Sequence, residues 1–186
     1  MKIRDLFPNT DIPGILGMYR EAFSGYPWYE QLSEEIVRTR WEHNSSQPNF
    51  RCLVAENEIG QVVGAVWWNS LNESGLRKER GEQLEEFVAS HFPGWSLVWE
   101  REVMVSTSHQ GKGLGLLLRQ EFQARLVREG QKILVLTRMR DDNGAIIHSG
   151  EKIGFQRTGI RLPSSQKPGV FHEYWYLPVT VADQIG

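Results

Sequence analysis

The chain has 186 residues, 40% of them hydrophobic and 24% charged, with a formal net charge of −2. That length suits one domain spanning 1–186, and the near-neutral balance gives no electrostatic reason to expect nucleic acid or an anionic membrane as partner. No apolar run approaches the ~20 residues that span a bilayer, and Cys52, the only cysteine, excludes an intrachain disulfide and a cysteine zinc cluster.

Strand and helix signals alternate along the chain. Lys2 to Phe7 alternates as a short strand, and Pro8-Asn9-Thr10-Asp11 is a turn able to cap a helix over about Pro13 to Phe23. Gly25-Tyr26-Pro27 breaks it. Trp28 to His43 reads as a second helix, with Leu32, Ile36 and Val37 on one face. Phe50 to Glu56 and Gln61 to Asn69 read as strands joined by a hairpin connection. Residues 70–96 are predicted as an insertion, with one helix over Glu82 to His91. Loops of this length often cover binding sites. Leu97 to Val105 is a strand, followed by a glycine-rich turn and a helix over Gly113 to Glu129. Leu114, Leu118, Phe122 and Leu126 give that helix one apolar stripe. Lys132 to Met139 is an apolar run that suggests a strand covered on both faces. A short helix starts at Asp141-Asp142-Asn143, and Phe155 to Ile160 and Val170 to Leu177 are two final strands. The order makes an α/β (α+β) protein with a mixed central sheet of about six to seven strands flanked by helices. The inserted helix precedes the central strand.

The chemistry-bearing segment is Gln110-Gly111-Lys112-Gly113-Leu114-Gly115, between a strand and an amphipathic helix. Glycine lets the backbone turn sharply and approach a ligand. At a helix start, free N–H groups and the positive end of the dipole favour an anion. A Walker A loop would need Ser or Thr after Lys112, where Gly113 stands. A Rossmann fingerprint would need G-x-G-x-x-G near the first strand. Both fit poorly.

The segment resembles the pyrophosphate loop [Q/R]-x-x-G-x-[G/A] of the GNAT superfamily of N-acetyltransferases, matched by Gln110, Gly113 and Gly115. Val103-Met104-Val105 is similar to the end of the family's strand leading into that loop. Asn143 and Gly154-Phe155 resemble its N…GF spacing, and Gln61 to Ala65 its third strand. The resemblance implies that acetyl-CoA is the co-substrate and that its pyrophosphate lies on the backbone of Gln110, Gly111, Lys112, Gly113, Leu114 and Gly115. It implies that the pantetheine arm pairs with Val103 and Val105, and that Asn143 hydrogen-bonds the far end of that arm. The family often has a tyrosine as general acid where this chain has Gly150. His148 lies on roughly the opposite helical face from Asn143, and a water, or a tyrosine such as Tyr174 or Tyr176, could substitute.

Glu100 and Glu102 lie in the middle of the predicted central strand, and alternation puts them on one face with Met104. Burying charge costs several kcal/mol per ion unless it is paired or the site is wet. Two readings follow: a structural ion pair with Arg101, or the edge of a substrate cavity. An alkyl ammonium of pKa ~10.4 is only about 0.04% free amine at pH 7. A carboxylate there would take up its proton as general base. The expected reaction is direct transfer from acetyl-CoA to a primary amine of a small molecule or peptide. The alternative is a non-catalytic acyl-CoA-binding or regulatory module. Trp67, Trp68, Trp95 and Trp99 are candidates for an amine pocket or for core. The expected setting is cytoplasmic, and the sequence leaves a homodimer open.

Overall fold

The computed structural model describes residues 1–180. The elements are β1 (Lys2–Asp5), α1 (Pro8–Ser24), α2 (Glu34–Ser45), β2 (Arg51–Glu56), β3 (Val62–Leu71), α3 (Glu73–Arg80), α4 (Glu82–His91), β4 (Ser96–Val105), α5 (Leu114–Val127), β5 (Ile133–Arg140), α6 (Gly144–Lys152), β6 (Gln156–Pro163) and β7 (Phe171–Val179). The seven strands form one sheet in the order β1-β2-β3-β4-β5-β7-β6. β4 and β5 run parallel, whereas β1–β2, β2–β3, β5–β7 and β6–β7 are antiparallel. The sheet is therefore mixed, as expected. Among the described residues no helix is long and apolar enough to cross a membrane.

The chain divides into two compact units, Met1–Asn69 with Arg101–Phe122, and Ser70–Glu100 with Gln123–Gly186. In the first, the cross-strand pairs Cys52↔Trp67 and Val54↔Ala65 present one apolar face. Ile15, Met18, Tyr19 and Phe23 of α1 and Val37 and Trp41 of α2 pack onto it with Met104. Full burial of such side chains stabilises by roughly 1.5–3 kcal/mol each. Trp68, one residue after Trp67, points to the other face and meets Phe122 of α5 with ring centroids 4.6 Å apart. Gly64 lets α5 come close. A Cβ there would lie 3.0 Å from Leu118 Cδ1, 3.3 Å from Leu114 Cδ2 and 3.3 Å from the Met104 carbonyl oxygen.

In the second unit, Leu76 of α3 and Leu84 and Val88 of α4 cover Leu97, Trp99, Leu134, Leu136 and Tyr174. The Arg80 guanidinium lies 4.1 Å from the centroid of the Trp99 ring, and the Tyr174 hydroxyl donates to the Arg80 carbonyl at 3.0 Å. The β4–β5 ladder joins Ser96–Trp99 to Ile133–Leu136. One step on, Thr137 Oγ1 donates to the Glu100 carbonyl at 3.1 Å.

Three elements differ most from the sequence reading. Helix α1 starts at Pro8, not Pro13. Proline at N1 has no N–H to lose, and the Asp11 carboxylate, held by Arg4 at 2.6 Å, accepts the Phe7 N–H at 2.7 Å. Helix α2 starts at Glu34, not Trp28, because Ser33 caps it by accepting from the Ile36 N–H at 3.3 Å. Ile36 is consequently exposed, and Val37 and Trp41 form the buried face. The insertion holds two helices rather than one. Asn72 starts α3 by accepting from the Gly75 N–H at 2.7 Å, and Gly81, at φ 93°, separates it from α4.

Candidate active site

After β4 the chain makes a single 3-10 turn, Thr107–His109, and enters the glycine-rich loop. The loop is braced from within the first unit. Ser106 N–H donates to the Val63 carbonyl at 3.0 Å, and the Glu21 carboxylate accepts from the Thr107 N–H at 3.2 Å and from its hydroxyl. Gln110 Nε2 reaches back to the Val105 carbonyl at 3.1 Å, and Lys112 Nζ to the Ser108 carbonyl at 2.8 Å. Gly111 and Gly113 have φ of 72° and 79°, the left-handed region that side chains disfavour. Open space lies where a Cβ would be at either position. The first α5 hydrogen bond runs from the Leu117 N–H to the Gly113 carbonyl at 3.1 Å. Helix geometry therefore leaves the N–H groups of Leu114, Gly115 and Leu116 without intrahelical acceptors. Gly115 sits close to β4: a Cβ there would lie 3.7 Å from Val105 Cγ2. A cradle of open backbone at a positive helix end fits a pyrophosphate. The Lys112 ammonium is turned onto the loop's own carbonyl, where it rigidifies the turn.

The two strand glutamates differ in exposure. Glu100 is 2% exposed and belongs to the second unit, whereas Glu102 is half-buried and belongs to the first. Arg101 between them donates from Nε to Asn69 Oδ1 on β3. Glu102 acts on Tyr19 of α1. Burial pushes the Tyr19 hydroxyl well above the usual phenol range, the negative charge of Glu102 pushes it further, and a hydrogen bond with Arg40 opposes both. Arg40 also donates to Glu30 at 2.8 Å. Tyr19, Arg40 and Glu30 thus form a linked polar group, with the Glu102 charge acting on its Tyr19 end, that the sequence reading did not include. Ser33 and Glu34 carried a usable signal, because a helix starting there puts Arg40 one residue before the buried Trp41.

In the second unit Asn143 is the N-cap of α6, its side chain accepting from the Ile146 N–H at 3.3 Å. This contact uses Oδ1 and leaves the Nδ2 donor to other partners. Gly150 is buried, and its carbonyl accepts from Ile153 and Phe155 at 3.2 and 3.0 Å, closing the helix. His148 is exposed. Tyr174 is 2% exposed and donates to Arg80, while Tyr176 donates to Gln156 Oε1 at 2.8 Å. Both hydroxyl protons are therefore engaged within this unit. Trp67, Trp68 and Trp99 are 0%, 4% and 3% exposed, so they serve as core. Cys52 is also buried, which pushes its thiol well above the usual range and keeps it protonated.

The glycine loop thus opens α5 after β4, and Asn143 caps α6 after β5. The acetyltransferase (GNAT) family profile matches residues 14–155, and the chain belongs to this family. Its acetyl donor is accordingly acetyl-CoA, and the chain is an N-acetyltransferase. It is similar to an L-methionine sulfoximine/L-methionine sulfone acetyltransferase of Pseudomonas aeruginosa, 26% identical over 162 residues that cover 86% of this chain and 83% of the relative. Among solved structures it resembles a phosphinothricin acetyltransferase from Sinorhizobium meliloti in complex with acetyl-CoA. That match has 19% identity and a TM-score of 0.67, covering 96% of this chain and 88% of the other. It also resembles a GCN5-related N-acetyltransferase from Kribbella flavida, with 22% identity and a TM-score of 0.67, covering 96% and 97%.

Proposed function

We propose that this chain transfers the acetyl group of acetyl-CoA to a primary amine of a small molecule, by direct attack in a ternary complex. The observation that carries the reading is the loop Gln110 to Gly115, whose two left-handed glycines open onto free space at the start of α5. In this reading the loop backbone holds the pyrophosphate. Val103 and Val105 pair with the pantetheine arm through their main-chain groups, and Asn143 adds a contact from its Nδ2. Glu102 takes the proton from the acceptor ammonium, directly or through water, near the Tyr19 hydroxyl on which its charge acts. Glu100 is the less suited of the two glutamates because it is almost fully buried. The amine nitrogen then bonds to the acetyl carbon, the carbon–sulfur bond breaks, and the second proton lost by the nitrogen passes through water to the thiolate. The protonated, buried Cys52 is a poor nucleophile, which favours direct transfer over an acyl-cysteine route. The whole chain acts as one catalytic domain with residues 70–96 inserted, in the cytoplasm.

The acceptors of the relatives favour small molecules bearing an amine, since the Pseudomonas enzymes are named for L-methionine sulfoximine and L-methionine sulfone. The test is thiol release from acetyl-CoA across a panel of those compounds, phosphinothricin, a diamine and an alanyl peptide. Release with a small amine is expected, and release with the peptide alone would defeat the small-molecule reading. Acetyl-CoA at about 100 times its Kd should stabilise the fold by about 2.7 kcal/mol. For a chain of this size that is a rise of about 5–10 °C in Tm. Gly113→Asp should remove most of it, because a carboxylate would then occupy the anion cradle. An unchanged shift in that variant would show the loop is misassigned.

A further inference from the structure

Seven of the eight residues of β5 are buried, and Arg138 alone is exposed. It shares a strand face with Leu134 and Leu136, which lie under α3 and α4 together with Tyr174. In the β5–β7 register Arg138 stands opposite Tyr174, and Arg140 opposite His172. One face of the strand pair therefore turns from apolar to cationic over two residues. At Arg138 β5 is paired with β7, its ladder with β4 having already ended. This cation comes two residues after Leu136, where the β4–β5 ladder ends, and five before Asn143.

The charges around it are already matched. Arg140 holds Asp142 in a fork at 2.9 and 2.8 Å, and Lys167 shares that carboxylate at 3.1 Å. Arg161 takes Asp141 at 2.6 Å. Among the described residues no carboxylate pairs with Arg138, and the positive Arg80 is near enough to Tyr174 to act on the same hydroxyl as Arg138 does. His172 adds no charge. Burial lowers its imidazole, and the charges of Arg138 and Arg140 lower it further, to about 4.

We propose that Arg138 is the anchor for a carboxylate carried by the acceptor, so that the substrate is an amine bearing an acid group, such as an α-amino acid. This rests on the acetyl-transfer reading above and names the substrate class of that reaction. A guanidinium presents a planar fork that matches a carboxylate in two parallel hydrogen bonds. With Arg140 matched by Asp142 and Arg80 beside Glu79 at 3.6 Å, one unmatched cation suits one negative charge rather than a phosphate dianion. Arg138 projects from a strand whose other side chains are fixed by packing, so its backbone is held in register with the α6 cap that follows.

The test is calorimetric titration, in the presence of CoA, of a set of amino acids including L-methionine sulfoximine, each beside its carboxamide. The wild-type chain is expected to bind the acids about 10- to 100-fold more tightly than the amides, the range of one charge-assisted contact. Arg138→Gln should erase that preference, and Arg138→Lys, which keeps the charge without the fork, should retain part of it. A wild-type chain that binds acid and amide alike, or an R138Q chain that keeps the full preference, overturns the proposal. Thiol release from acetyl-CoA with the same compounds is read in parallel. Selective acid binding without thiol release would support the anchor and defeat the transfer reading. Thiol release without selectivity for the acids would defeat the anchor alone.

Discussion

Replacing Gly64 with alanine probes the packing that seats the donor loop. The new Cβ would lie 3.0 Å from Leu118 Cδ1, 3.3 Å from Leu114 Cδ2 and 3.3 Å from the Met104 carbonyl oxygen. Carbon contacts are optimal at about 3.5–4.0 Å, so each neighbour must move by a few tenths of an ångström. None can do so freely. Leu118 is 0% and Leu114 3% exposed, and the Met104 oxygen belongs to the β4 backbone. Overpacking of this kind costs about 1–3 kcal/mol. Restricting the unfolded chain by Gly→Ala returns about 0.4–1 kcal/mol. The net is a loss of about 1–2 kcal/mol, or about 2–8 °C in Tm for a chain of this size. Because Leu114 directly follows Gly113, the strain falls on the first turn of α5 and displaces the N–H groups that face the loop. Acetyl-CoA affinity should therefore drop severalfold, while kcat at saturating donor changes little. Differential scanning fluorimetry with and without acetyl-CoA reads both effects. A G64A chain with wild-type Tm and wild-type donor affinity would refute the claim that α5 is tightly seated on β3.

Glu102→Gln should lower kcat by at least about 10²-fold, the lower end for general-base catalysis, with donor affinity near wild type. Raising the pH should partly rescue it because more acceptor is then free amine; equal kcat at pH 7 would remove Glu102 from the mechanism. His172 is neutral in the folded chain down to about pH 4, whereas an unfolded histidine takes up a proton near 6.5. The unfolded state binds more protons between those values, so this group's contribution falls as pH drops from 6.5 to 4. Urea midpoints for His172→Gln should decline less steeply over that window than those of the wild-type chain, and parallel curves would contradict the assigned burial.

Most element types were legible, because hydrophobic period and glycine punctuation mark them locally. The stripe Leu114, Leu118, Phe122 and Leu126 is buried throughout, and α4 has its expected bounds. The errors share a cause. The start of α2 was drawn through Trp28 and Leu32 because they continue an apolar spacing, yet Ser33-Glu34-Glu35 carries the cap, and Tyr29 has φ 52°. Helix α3 was hidden by polar composition, although Asn72 marked its beginning. The donor loop is contiguous, so its glycine spacing was readable. Tyr19, Arg40 and Glu30 are separated along the chain and meet only through tertiary packing. Arg138 was invisible for a related reason: an apolar run predicts a buried strand and does not say which residue near its end is left uncovered. Alternation along β4 is visible in the packing, with Leu97 and Trp99 under the inserted helices and Met104 under α1 and α2.

The paired aspartates at the end of β5 bear on how a ligand would meet this molecule. Asp141 and Phe171 exchange hydrogen bonds: the Asp141 N–H donates to the Phe171 carbonyl at 2.9 Å, and the Phe171 N–H to Asp141 Oδ1 at 3.0 Å. Arg161 and Lys167 fasten the same connection from its two ends, through Asp141 and Asp142. The arm between β6 and β7 is thus tied down by the chain's own contacts. Fixing a free backbone costs roughly 1–2 kcal/mol per residue, and here that expense falls on folding rather than on association. An acceptor meeting a stiff arm is sorted by shape and charge on arrival. A change in preference would then come more readily from exchanging one side chain on this frame than from lengthening the loop.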